Sequence, residues 1–137
     1  MGQSYRDLVA WNKAMDLVME IYRLTHNFPR EEIFGLMSQL RRSAVSIPSN
    51  IAEGQGRSSK GDFRNFLGNA RGSLSELETQ VLIAEKLSFL QKSDAADLLD
   101  LTAEVGRILN GLIASTKNTK TKTDYWLLIP KLATRVS

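Results

Sequence analysis

A chain of 137 residues, 42% hydrophobic and 24% charged, is long enough to bury one continuous core and belongs to the globular class rather than the disordered one. With no cysteine, disulfide frameworks, thiolate metal sites and cysteine nucleophiles are excluded. The net charge of +3 is mild but unevenly spread: residues 1–40 carry four basic and five acidic side chains, 41–71 six and two, 72–116 three and seven, and 117–137 five and one. Such segregation suits a nucleic-acid face, or equally a basic helix paired with an acidic one within the fold or between copies.

No apolar run approaches the roughly 20 residues of a membrane span. The N-terminal MGQSYRDLVAW lacks the layout of a secretory signal, so a cytoplasmic protein with no membrane contact is expected. Leu8, Trp11, Met15, Val18, Ile21 and Tyr22 recur at steps of three and four and predict a first helix from about Tyr5 to His26, with these side chains on its apolar stripe. NFPREE then interrupts the pattern: Pro29 biases Phe28 away from helix, and Glu31 and Glu32 suit the positive end of the helix that follows.

The second helix is predicted from about Arg30 to Arg57, on the spacing of Ile33, Leu36, Met37, Leu40, Ala44, Ile47 and Ile51. Pro48 lies inside it and removes a backbone hydrogen bond at a cost of about 3 kcal/mol. Because Ile51 and Ala52 resume the stripe, one long bent helix is expected rather than two. GQGRSSKGDF ends it and offers Ser58 or Ser59 as N-cap, with Asp62 three residues beyond Ser59.

Helix three follows on Phe63, Phe66, Leu67, Ala70, Leu74, Leu77, Val81, Ala84 and Leu87, with a heptad-like seam at 63, 67, 70, 74, 77, 81 and 84. SFLQKSDA is a turn with Ser93 as N-cap, and helix four carries Ala95, Leu98, Leu99, Thr102, Val105, Leu109 and Leu112 before fading near Lys117. Four helices with three short connections imply an all-α, antiparallel up-down-up-down bundle over residues 1–117. Residues 118–137 change character to alternating Lys and Thr followed by the apolar YWLLIP. This basic tail is expected to dock on the bundle, a neighbouring copy or a protein partner, because an exposed run of that kind invites aggregation.

The sequence offers little catalytic chemistry. His26 is alone and lies near a helix end, where a charge–dipole contact accounts for it. The Glu-x-x-His pairs of di-iron bundles do not occur, so no metal and no cofactor are expected. Asp97, Asp100 and Glu104 lie along one face as a solvated or salt-bridged row near Arg107, and Glu78 and Glu85 share a side of helix three where pairing with Arg57 or Arg64 is expected. The GQG and SSKG runs lack the order and the preceding strand of a phosphate loop.

RRSAVSIPSNIAEGQGR, residues 41–57, is the unusual stretch. Its polar face is built of small side chains that admit a close neighbour, and Pro48, Ser49, Asn50, Glu53, Arg57 and Glu78 form the candidate structural network there, with Glu53 and Arg57 one turn apart. Arg41, Arg42, Arg57, Lys60, Arg64 and Arg71 are the candidate nucleic-acid contacts, since guanidinium forks match phosphate oxygens. No aromatic residues alternate with them, so base-specific reading of single strands is not supported.

That stretch, together with DFRNFLGNARGSLSELETQVLIAEKL and the N-terminal YRDLVAWNKAMDLVMEIYRLT, closely resembles the proteins encoded in intervening sequences of bacterial 23S rRNA genes, the S23-like family, over about residues 4–116. The resemblance implies an antiparallel four-helix bundle, a ring-like homopentamer and no enzymatic activity. More distantly, AEVGRILNGLIA is similar to the accessory proteins of diversity-generating retroelements, which bind a reverse transcriptase and its RNA. Those proteins usually lack the Ser-Ile-Pro-Ser-Asn element. Two functions follow as expectations: a non-enzymatic homo-oligomer that binds structured RNA through gathered basic patches, or a protein-interaction scaffold whose charges serve assembly.

Overall fold

Helix α1 spans Val9–Thr25, α2 Leu36–Gln55, α3 Lys60–Lys86 and α4 Lys92–Asn118 in the computed structural model, which describes residues 4–118. Short 3₁₀ turns at Tyr5–Asp7 and Arg30–Glu32 precede α1 and α2, and no strand occurs among the described residues. Neighbours in sequence pack against each other and α4 returns to α1, so the helices stand as a square with α1 diagonal to α3. Lys13 Nζ of α1 lies 3.4 Å from Glu104 Oε1 of α4, and Arg64 Nε of α3 bonds Thr116 Oγ1 of α4 at 3.0 Å; these levels fix the antiparallel order. No helix among the described residues is long and apolar enough to cross a membrane. The basic segment expected after the bundle lies, from residue 119 on, outside the described residues.

The heptad-like seam of α3 is the axis of the core, with Phe63, Leu67, Ala70, Leu74, Leu77, Val81 and Ala84 all buried. Its N-terminus is capped as expected: Ser59 Oγ accepts the amide of Asp62 at 3.1 Å. At its C-terminus the stripe stops one turn early, because Ser88 adopts a left-handed conformation (φ 64°) and the chain turns back. Ser88 N–H donates to the Glu85 carbonyl and Phe89 N–H to the Ala84 carbonyl, a Schellman closure that leaves Leu87 more than half exposed rather than in the core. An L side chain in that region costs about 1–2 kcal/mol. Ser88→Gly is therefore expected to raise the unfolding free energy by about 1 kcal/mol in urea titration; an unchanged midpoint would mean that the turn carries no such penalty.

Three expectations are corrected. The buried face of α1 is centred on Ala10, Ala14, Leu17, Ile21 and Thr25, whereas Trp11 and Met15 sit at its edge and Tyr22 is exposed. Bulk marked the stripe in sequence, but Ala10 and Ala14 are buried in line with Leu17 and Ile21, which turns the buried face away from Trp11 and Met15. Helix α2 begins at Leu36 rather than Arg30, since the chain breaks at Gly35 (φ −111°, ψ −121°) and leaves Ile33 and Phe34 outside the core. Glu32 still serves the helix terminus: its Oε1 accepts the Leu36 amide at 2.8 Å, and a side chain on Gly35 would crowd that carboxylate. Beyond Leu36, α2 runs unbroken through the buried Pro48, as expected. Helix α4 starts at Lys92, so Ser93 lies inside its first turn, and Ala95, Leu98, Thr102, Val105, Leu109 and Leu112 are buried.

Candidate functional site

The two most distinctive stretches of the sequence face each other along the α2–α3 seam. Ser43 Oγ donates to Gln80 Oε1 at 2.7 Å, both groups buried, and Ser46 Oγ meets Ser73 Oγ at 2.7 Å. Asn50 Nδ2 reaches back to the Ser46 carbonyl and hydroxyl at 2.8 and 2.9 Å. Further along the seam, Gly54 lies so close to α3 that a Cβ there would stand 2.6 Å from Phe66 Cβ and 3.3 Å from the Phe63 carbonyl oxygen. The small polar face of residues 41–57 is thus a helix-packing surface stitched by hydroxyls and closed by a glycine. Sequence reasoning missed Gln80, although it sits seven residues from Ser73 and so on the same side of α3.

Of the candidate network, Asn50 is engaged with Ser46, and Ser49 Oγ caps the Val45 carbonyl at 2.8 Å. Glu53 and Arg57 form an ion pair at 3.7 Å, with the Arg57 guanidinium 4.8 Å over the Phe66 ring. Pro48 is buried toward α1. Glu78 joins none of them; it is exposed on α3, and among the described residues it makes no hydrogen bond or ion pair to Arg57 or Arg64.

The six candidate cations do not share one surface. Arg41 lies over the Tyr22 ring at 4.3 Å and donates to Thr25 Oγ1 at 2.9 Å, locking α2 to the end of α1. Arg64 donates to Thr116 Oγ1 and to the Thr116 carbonyl at 3.3 Å, satisfying a backbone acceptor near the end of α4. Arg71 donates to Asn110 Oδ1 at 3.0 Å. The α1–α2 seam of Arg41 and the α3–α4 seam of Arg64 and Arg71 are on opposite sides of the square. Arg42 is exposed beside Ser43 and Gln80, and Lys60 opens α3; neither makes an ion pair among the described residues.

The acidic row of α4 is partly tied: Glu104 pairs with Lys13, whereas Asp94 and Asp97 line a hollow with Arg23 and Glu20. Glu20 holds the Arg23 guanidinium above its ordinary pKa by a hydrogen bond and by its charge. His26 is exposed at the C-cap of α1, its amide donating to the Tyr22 carbonyl. Among the described residues no cluster of three or more metal-ligating side chains occurs.

Apolar surface is also unevenly placed. Met19, Tyr22, Ile33, Phe34, Leu82, Ile83 and Leu87 are all exposed, Phe34 almost entirely (97%), and all lie at the end of the bundle where α1 and α3 finish and α2 begins. A groove follows the outer α1–α2 seam in two lobes that share Val45: one of about 630 Å³ lined by Tyr22, Ile33, Met37 and Arg41, the other of about 340 Å³ near Tyr5 and Ala52.

This arrangement is similar to a solved structure described as a protein of unknown function from the S23 ribosomal protein family of Bacteroides thetaiotaomicron VPI-5482. The two share 23% identity with a TM-score of 0.70, covering 77% of this chain and 98% of that one, which is a likeness of fold. A comparison with curated proteins finds no match. The family model for 23S rRNA-intervening sequence proteins matches residues 6–111, a stretch that holds both halves of the α2–α3 seam. By that match the chain belongs to the 23S rRNA-intervening sequence protein family.

Proposed function

We propose that the protein is a non-enzymatic helical module that assembles with copies of itself and serves as an interaction scaffold. The observation that carries this reading is the apolar end of the bundle. Seven large hydrophobic side chains are exposed toward that end, on α1, on the α1–α2 connection and on α3, and burying them between copies would remove them from water. The cations are consistent with it, since Arg41, Arg64 and Arg71 each bond side-chain or backbone groups of their own chain. The resemblance drawn from the sequence implies a ring of five as the form of the assembly. Phe34→Glu combined with Ile83→Glu is expected to reduce the sedimenting mass to that of one chain while the far-UV circular dichroism stays helical. A wild-type protein already monomeric at micromolar concentration, or a variant of unchanged mass, would remove this reading.

RNA association is the second reading, favoured by Arg42 and Lys60, which make no ion pair among the described residues, and by the basic composition of residues 117–137. In an oligomer each such pair recurs with every copy, so weak phosphate contacts add by avidity. Reversing Arg41 is a poor test because it would strip the guanidinium from Thr25 and Tyr22 and loosen α1. Arg42→Glu with Lys60→Glu is expected to weaken binding to structured RNA about tenfold or more at low salt and to flatten the salt dependence. Binding equal to wild type would exclude these two residues as the contact.

A further inference from the structure

The smaller lobe of the α1–α2 groove, about 340 Å³, is walled by Tyr5, Trp11, Met15, Val45, Pro48 and Ala52. The hydroxyl of Ser49 at its rim already donates to the Val45 carbonyl, so the groove offers an occupant apolar surface and little to hydrogen-bond. Trp11 is only half-buried, with the Tyr5 ring edge-on at 5.2 Å, and much of this aromatic pair borders the groove. We infer that the groove is the docking site for residues 125–130 of the same chain, Tyr-Trp-Leu-Leu-Ile-Pro.

The course of the chain directs the segment to this lobe. Arg64 holds Thr116 beside the first turn of α3, and Lys13 with Glu104 sets α4 antiparallel to α1. Asn118 therefore leaves the bundle at the end where Tyr5 leads into α1 and where Ala52 approaches the end of α2. Residues 119–124 then intervene, and at about 3.3–3.6 Å each they reach about 20 Å. Adjacent helices stand about 8–10 Å apart, so that reach suffices to round α1 and enter the groove beside Tyr5 and Ala52. The larger lobe is a different matter. Met37 lies 15 residues before Ala52 on α2, about 22 Å further along the helix at 1.5 Å per residue, and a linker of this length does not cover both distances.

Composition agrees with this assignment. The linker TKTKTD is polar throughout, and the segment after it is apolar for five residues before Pro130.

The absence of cysteine makes the test clean. Ser49→Cys, at the groove, is combined in turn with Trp126→Cys, Leu127→Cys and Leu128→Cys in the full chain; Asn27→Cys, exposed at the opposite end of the bundle and outside the apolar set, is the control. A disulfide needs Cα atoms within about 4.4–6.8 Å. Under mild oxidation at least one Ser49 pair is expected to close within a single chain at least about tenfold faster than the Asn27 pairs. Equal rates at the two sites would overturn the proposal, and disulfides found only between two chains would give the groove to the tail of a second copy.

An independent readout uses Trp11, which becomes the sole tryptophan in both Trp126→Phe and Trp126→Asp. The buried-charge variant is expected to shift Trp11 emission to the red and about double its quenching by acrylamide relative to Trp126→Phe. Identical spectra and quenching in the two variants would overturn the proposal as well. The cysteine pairs separate docking within one chain from docking between copies, whereas the Trp11 readout reports the groove as covered by either.

Discussion

Gly54→Ala is expected to lower the unfolding free energy by about 3 kcal/mol, at the upper end of what overpacking usually costs. The added methyl would stand 2.6 Å from Phe66 Cβ, 3.1 Å from Phe63 Cδ1 and 3.3 Å from the Phe63 carbonyl oxygen. Two of those three atoms are backbone or attached directly to it, so no rotamer change moves them away. Phe66→Ala keeps its Cβ and should not rescue the variant, whereas Phe66→Gly should recover part of the loss. Urea titration at one fixed protein concentration reads all three, which matters if the protein assembles. A Gly54→Ala loss under about 0.5 kcal/mol, the range of an ordinary surface change, would mean that the helices part there without penalty.

The second large effect is expected at Phe63, which is completely buried at the start of the α3 seam. Truncation to Ala removes an aromatic side chain and leaves a cavity between α2 and α3, at a cost of about 3–5 kcal/mol. The two sites are coupled because the ring lies against the position of the missing Gly54 methyl. In Gly54→Ala/Phe63→Ala the methyl fills a little of the cavity, so the combined loss should fall short of the sum by about 0.5 kcal/mol or more. Strict additivity would show that the Phe63 ring has no part in the close approach at Gly54.

The bundle was legible in the sequence where burial and size coincide. Helix α3 carries a heptad of large apolar residues with a serine cap before it, and both signals point the same way. Helix α1 was harder, since its central positions are Ala10 and Ala14 and its edge holds Trp11, Met15 and Tyr22; a stripe read from bulk rotates toward the edge. Ile33 matched the helical period of α2, but Gly35 interrupts the backbone before that period can be used. The stretch 41–57 stood out as polar and small, yet its partners Ser73 and Gln80 lie 27 and 37 residues away from Ser46 and Ser43, and periodicity within one helix carries no information about a facing helix. Arginines were equally deceptive. Composition counts their charge, but whether Arg41 or Arg64 meets a phosphate or a threonine hydroxyl is decided by what the neighbouring helix places beside it.

The antiparallel order that sets Asn118 beside the start of α1 also determines how the molecule would respond to tension. With force applied at Tyr5 and Asn118, the load falls on one end of the α1–α4 contact, where the two helices run side by side in opposite directions. Contacts then break one turn at a time, as in a zipper, instead of sliding together along the whole length of the seam. A bundle loaded in this way yields at low force despite a well-filled interior, while the same four helices pulled from opposite ends would resist until most of the seam gave way at once.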